Sequence, residues 1–140
     1  MRVDSGSRSI QMTNVLEKEK TLKRAKAEHV TSGLGVSGYE IHHGRFCGNG
    51  ENHPVLIGSD GEVIGLSASN GRVWGTYLHG IFDNDAFRRW FIDSLRTQRG
   101  LAPVKRVLAA YDLEAEQDRL AEIVRKNVDI EKIYRLMGLK

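Results

Sequence analysis

The hydrophobic period of this chain changes at His79, and that change limits what it can fold into. Before it, the apolar runs Val55-Leu-Ile-Gly, Val63-Ile-Gly-Leu and Val73-Trp-Gly-Thr-Tyr-Leu have strand length. Ser59-Asp-Gly-Glu and Ser69-Asn-Gly-Arg separate them as turn signals. After it, Phe87, Trp90, Phe91 and Leu95 recur at helical spacing. Asp83 or Asn84 can cap that helix, Asp85 and Arg89 form an i,i+4 pair on its other side, and Gly100 ends it ahead of Pro103. A second helix is expected from Asp112, with Leu120, Ile123, Val124 and Val128 as its stripe, and Asp129 caps a short third. Strands first and helices after is an α+β order for the chain alone, and it also fits the back half of a larger α/β domain.

Upstream, residues 1–12 are polar and read as a flexible leader, with one domain over 13–140. Thr13 to Val30 reads as short amphipathic strands. Lys18, Lys20, Lys23, Arg24 and Lys26 interleave there with Glu17, Glu19 and Glu28, the pattern of a solvated face rather than a nucleic-acid patch, and the net charge is only +3. Thr31 to Gly38 is turn-rich, and Gly38-Tyr-Glu-Ile-His-His-Gly44 reads as a short strand. No apolar run approaches the ~20 residues of a membrane span, and the first residues lack a secretory apolar stretch. A single cysteine, Cys47, excludes an internal disulfide framework and a multi-cysteine zinc site. These features predict a cytoplasmic protein with no nucleic-acid or membrane partner.

Among candidate functional residues, His79 comes first. A buried strand delivers its last side chain to the carboxyl edge of the sheet, and Gly80 lets the chain turn away there. Position alone leaves two roles open: a general base near neutral pH, or a histidine that caps a sheet edge. Cys47 has no strand–elbow–helix pattern around it and reads as a loop residue. Ser67 and Ser69 show no sign of activation. His42 and His43 point to opposite faces of a strand, so they do not share a metal; Glu40 and His42 share one face, where a hydrogen-bonded pair is commoner than a ligand set. His29 and His53 have no evident partners. Gly33-Leu-Gly-Val-Ser-Gly38 matches G-x-G-x-x-G by letters but precedes a strand, so no phosphate cradle is assigned.

Two segments go beyond generic pattern. Val36-Ser-Gly-Tyr-Glu-Ile-His-His-Gly-Arg45 and Gly71-Arg-Val-Trp-Gly-Thr-Tyr-Leu-His-Gly-Ile-Phe-Asp-Asn-Asp-Ala-Phe-Arg-Arg89 closely resemble the C-terminal part of the cobyric acid synthase family, and Glu17 to Arg24 resembles the strand before them. The resemblance implies the C-terminal half of a class I, flavodoxin-like glutamine amidotransferase domain. It implies glutamine-dependent amidation of corrin carboxylates in cobalamin synthesis, with His79 as base for a cysteine that lies upstream of this stretch in the family. ATP and Mg²⁺ would serve a missing N-terminal domain, with no cofactor or metal on these residues. By the same resemblance the chain is a C-terminal fragment without glutaminase activity of its own, whose partner is the missing N-terminal part of the same protein. A sheet edge left exposed in such a fragment is a surface for homodimerisation. Ile81 stands where many triad amidotransferases carry a glutamate, so we take Glu40 as the candidate orienting carboxylate, on the expectation that its strand lies beside that of His79. A non-catalytic binding module derived from an amidotransferase, and a sister enzyme such as cobyrinic acid a,c-diamide synthase or a cell-wall amidating enzyme, are the alternatives.

Overall fold

The computed structural model describes residues 10, 12–48, 52–68 and 71–139, so the expected leader lies almost wholly outside the described residues. The chain divides into two compact units, residues 1–109 and 110–140. The first holds strands β1 (Met12–His29), β2 (Leu34–Gly48), β3 (His53–Gly58), β4 (Val63–Ser67), β5 (Trp74–Thr76) and β6 (Leu78–His79). A 3-10 turn (Ile81–Asp83) and helix α1 (Asp85–Gln98) follow; the second unit holds α2 (Leu113–Asn127) and α3 (Ile130–Leu136). Strands then helices is the order that the change of period predicts.

The charged stretch expected as short strands is one strand of 18 residues. Its hairpin with β2 carries it through: the ladder runs from His29↔Leu34 out to Met12↔Gly48, so cross-strand pairing overrides weak local propensity. The ladder is interrupted between Leu16↔Gly44 and Thr21↔His42, where the Glu-Lys-Glu-Lys run of β1 bulges. The turn expected over residues 31–38 is confined to residues 30–33. Gly33 takes the left-handed conformation (φ +67°) and donates its N–H to the His29 carbonyl at 2.8 Å. Strand β2 therefore absorbs the rest of that glycine-rich stretch and also Cys47, which pairs with Thr13 in the ladder rather than sitting in a loop.

Among the described residues all pairings are antiparallel, in the order β5-β4-β3-β1-β2-β6. The two edge strands, β5 and β6, are separated in the chain by Tyr77 alone. Two residues of extended chain span at most about 7 Å, whereas a flat six-stranded sheet sets its edges about 24 Å apart at ~4.8 Å per strand. The sheet is therefore rolled until its edges nearly meet, and Tyr77 crosses the gap.

Leu56 and Phe87 are completely buried, with Ala27, Val36, Val55, Ile64, Leu78 and Ile81 around them and Trp74 and Trp90 packed against the cluster. His29, expected to lack partners, lies in this core, 4% exposed, with its ring 5.0 Å from Phe87 and 4.7 Å from Trp90. Its Nδ1 accepts the Ser32 backbone N–H (3.2 Å) and lies 2.8 Å from the Ser32 hydroxyl. Nδ1 is thus an acceptor, which fixes the neutral ring with its proton on Nε2. Burial acts in the same direction and holds the pKa of His29 below its ordinary value.

Helix α1 presents Phe87, Trp90 and Phe91 to the sheet as expected, but Leu95 is 46% exposed because the core ends before the last turn. The expected Asp85–Arg89 pair is replaced by Asp85–Arg88 (2.6 Å) and Arg89–Asp93 (2.8 Å). Arg88 also donates to the carbonyls of Phe82 and Ala109, and Asp93 also accepts the backbone N–H groups of Val104 and Lys105, so these pairs pin the segment after the helix. Gly100 (φ +73°) closes α1 with Leu101 N–H bonded to Arg96 O (2.9 Å) and its own N–H to Thr97 O (3.0 Å), a Schellman motif. Asp112 and Asp129 cap α2 and α3 by accepting the N–H of Ala115 and Lys132. Among the described residues no helix is long and apolar enough to cross a membrane.

Candidate active site

His79 ends β6, a strand of two residues at the edge of the sheet. The register pairs Tyr39 with His79 and Glu40 with Leu78. Residues directly opposite in an antiparallel pair share a face, and neighbours along a strand alternate. Glu40 and Leu78 are accordingly buried (3% exposed each), while Tyr39 and His79 face outward. The strand is buried at Leu78 only; at His79 the expected buried strand is an exposed edge. An imidazole there is open to a reacting group from outside the sheet.

Three devices hold the backbone of His79. First, a Cβ added to Gly38 would lie 2.1 Å from the His79 carbonyl oxygen, so only glycine lets β6 approach β2 this closely. Second, Gly80 adopts φ +78°, which turns the chain directly into the 3-10 turn. Third, the Asn84 side-chain amide bonds β2 where β6 stops. Its Oδ1 accepts the Ser37 N–H (2.9 Å), and its Nδ2 donates to Ser37 O (2.8 Å) and Ile81 O (3.0 Å). Asn84 occupies the N-cap position of α1 but makes no side-chain capping bond. Its amide is already used as a substitute strand partner.

Glu40 is not brought to the His79 ring. The two strands do lie side by side, but register places the carboxylate on the inner face and the imidazole on the outer one. Its Oε1 lies 2.7 Å from His42 Nε2, the same-face pair that the period of two predicts. Its Oε2 forms an ion pair with Lys23 Nζ at 3.3 Å, without the alignment of a hydrogen bond, and Lys23 also reaches Asp60 at 3.3 Å. Contact with Glu40 first, and with Asp60 second, raises the pKa of the Lys23 ammonium. His42 Nδ1 faces the Gly44 carbonyl, so each ring nitrogen of His42 meets an oxygen atom. His43 is exposed on the opposite face. Ser67 is buried and directs its hydroxyl to His53 O at 3.4 Å. Among the described residues no three His, Cys, Asp or Glu side chains are grouped to hold a metal.

Two motifs far apart in sequence are thus the two strands of one antiparallel pair. Gly38 meets the backbone of His79, Tyr39 is its partner, Glu40 lies opposite Leu78, and the ring of His42 stacks on Tyr77 at 3.9 Å. Tyr77 and Asn84 were not foreseen as site residues. A polar aromatic interrupting an apolar run just before a histidine was the available signal for the first; nothing local distinguishes a capping asparagine from one that reaches a strand.

Comparison with known proteins gives matches that span both Gly38 and His79. Residues 3–87 match the family model of the CobB/CobQ-like glutamine amidotransferase domain. The chain is 51% identical over 110 residues to a cobyric acid synthase of Nitratidesulfovibrio vulgaris, covering 76% of this chain and 20% of that protein. It is 45% identical over 130 residues to the adenosylcobalamin biosynthesis bifunctional protein CobDQ of Leptospira interrogans, covering 93% of this chain and 15% of that protein. A cobyric acid synthase of Caldanaerobacter subterraneus is 38% identical over 144 residues, covering 91% and 28%. The chain therefore spans less than a third of the length of these relatives. No solved structure gives a significant match. With the family model covering more than half of its residues, the chain belongs to the CobB/CobQ-like glutamine amidotransferase domain family.

Proposed function

We propose that these residues supply the histidine side of a glutaminase site in a cobyric acid synthase. His79 takes the proton of a cysteine thiol contributed by another stretch of the protein as the thiolate attacks the glutamine amide, and returns it to the leaving ammonia. The ammonia then amidates corrin carboxylates activated by ATP with Mg²⁺ on a separate domain, and the rolled sheet forms part of a larger, flavodoxin-like amidotransferase domain. The observation that carries this reading is the placement of His79: exposed, at the very end of β6, with its backbone fixed by Gly38, Gly80 and Asn84. A histidine that merely capped the sheet edge would direct its ring to backbone groups of the sheet; the register instead turns it outward.

The test is His79→Ala in the complete enzyme. Glutamine-driven amidation should fall by about 10²- to 10⁴-fold, the usual worth of a general base, while amidation from free ammonia survives. Equal loss of both activities would make His79 structural and refute the proposal.

A further inference from the structure

We infer that Tyr77 is a positioning residue for His79, and that Glu40 and His42 act on His79 through it; this rests on the proposed role of His79 as a base. Tyr77 is the single residue between strands on opposite edges of the sheet. Its N–H is still bonded to Ile64 O of β4 at 3.0 Å, while the next residue, Leu78, already pairs with Glu40 of β2. The chain changes partner strand within one residue, so any swing at Tyr77 is passed to His79 across two peptide units.

The side chain of Tyr77 is gripped where that change occurs. His42 stacks on its ring at 3.9 Å and 12°, Phe46 at 4.0 Å and 11°, and its hydroxyl donates to Asn14 Oδ1 at 2.8 Å. His42 and Phe46 are four residues apart on one strand face, with Gly44 between them. A Cβ on Gly44 would lie 1.9 Å from Asn14 Oδ1, so the missing side chain makes the room in which the Tyr77 hydroxyl and its partner meet. His42 in turn is fixed by Glu40 and the Gly44 carbonyl, and Glu40 by Lys23, which also reaches Asp60 in the turn between β3 and β4. The grip on Tyr77 thus runs back through three side chains on the inner face, His42, Glu40 and Lys23, none of which shares a face with the His79 ring.

A cluster that only stabilised the fold would lower stability and leave His79 unchanged in molecules that remain folded. A positioning cluster changes His79 in the folded state. We would record imidazole ¹H–¹⁵N spectra and the cross-strand Tyr39–His79 NOE on the 140-residue chain. Tyr77→Phe, which keeps both stacks and loses only the hydroxyl bond to Asn14, should perturb both slightly. Tyr77→Leu should broaden or double the His79 signals and weaken the NOE. In the complete enzyme Tyr77→Leu should lower kcat for glutamine hydrolysis by about 10²-fold, the effect of a roughly 1 Å misplacement, with KM and ammonia-driven amidation retained. Should Tyr77→Leu not fold, Asn14→Ala and His42→Leu remove one hold each, and both should perturb His79 to a lesser degree. Folded variants with unchanged His79 signals and NOE would overturn the inference. The outcome is separable from that of the proposed function, because the spectra read the placement of His79 whether or not His79→Ala abolishes glutamine use.

Discussion

Gly38→Ala is the sharpest perturbation of the contact between β2 and β6. The added Cβ would lie 2.1 Å from the His79 carbonyl oxygen and 3.2 Å from both its carbonyl carbon and Leu78 Cδ1. A carbon and a carbonyl oxygen settle at about 3.3 Å or more, so one strand must retreat by roughly 1 Å. Strand β2 is tied to β1 along most of its length, whereas β6 has only the Tyr39↔His79 and Glu40↔Leu78 pairs. It is therefore β6 that moves, carrying His79 with it. Overpacking of this kind costs about 1–3 kcal/mol, and a catalytic group displaced by about 1 Å loses on the order of 10²-fold in rate. Urea unfolding of the chain, the Tyr39–His79 NOE and glutaminase activity of the complete enzyme read the three consequences. Gly35→Ala on the same strand is the control, since nothing lies within 4 Å of its added Cβ. If Gly38→Ala matched Gly35→Ala in stability and kept the NOE, the close approach would not be what holds His79.

Asn84→Ala should destabilise the first unit by about 1–2 kcal/mol, since it leaves the Ser37 N–H and C=O without their side-chain partners. Asn84→Asp, which keeps the acceptor and loses the donor, should fall between; equal stability of all three proteins in urea would refute the strand-substitute role. The buried neutral His29 makes stability pH-dependent: with its folded pKa below the unfolded value of about 6.5, stability is full above that value and is lost as pH falls from there towards the folded pKa. His29→Phe should flatten the dependence of the urea midpoint on pH below about 6.5, and an unchanged slope would show that another group governs the acid limb.

Some of this was legible in the sequence because the forces involved are local. The helix start at Asp112, the cap at Asp129, the Gly100 terminus and the same-face pair of Glu40 and His42 depend on residues two to five apart, and each is found as expected. What was illegible depends on partners far along the chain. Gly38 reads as a turn residue until His79 is laid against it, and Cys47 reads as a loop residue until β1 supplies Thr13 across the ladder. His29 has no neighbour in sequence to suggest that Phe87 and Trp90 enclose it. Glu40 was expected beside His79 because their strands are adjacent, and they are; adjacency says nothing about which face each side chain takes.

Face parity makes register the quantity on which the site depends. A slip of β6 by one residue would turn every side chain of the strand over, bringing His79 inward beside Glu40 and Leu78 out to solvent. That alternative would give the imidazole a carboxylate partner and remove it from anything approaching from outside. Burial of Leu78 opposes the slip by about 1.5–3 kcal/mol, but β6 has only two residues and cannot fix its own register through a ladder. The register is set from outside the strand: by the stacked ring of Tyr77 before it, by the glycine contact at Gly38 beside it, and by Asn84 bonded to Ser37 after it. Lys23, Glu40 and His42 on the inner face and the outward imidazole of His79 are therefore parts of one arrangement, in which side chains that do not touch the imidazole bear on which way it faces.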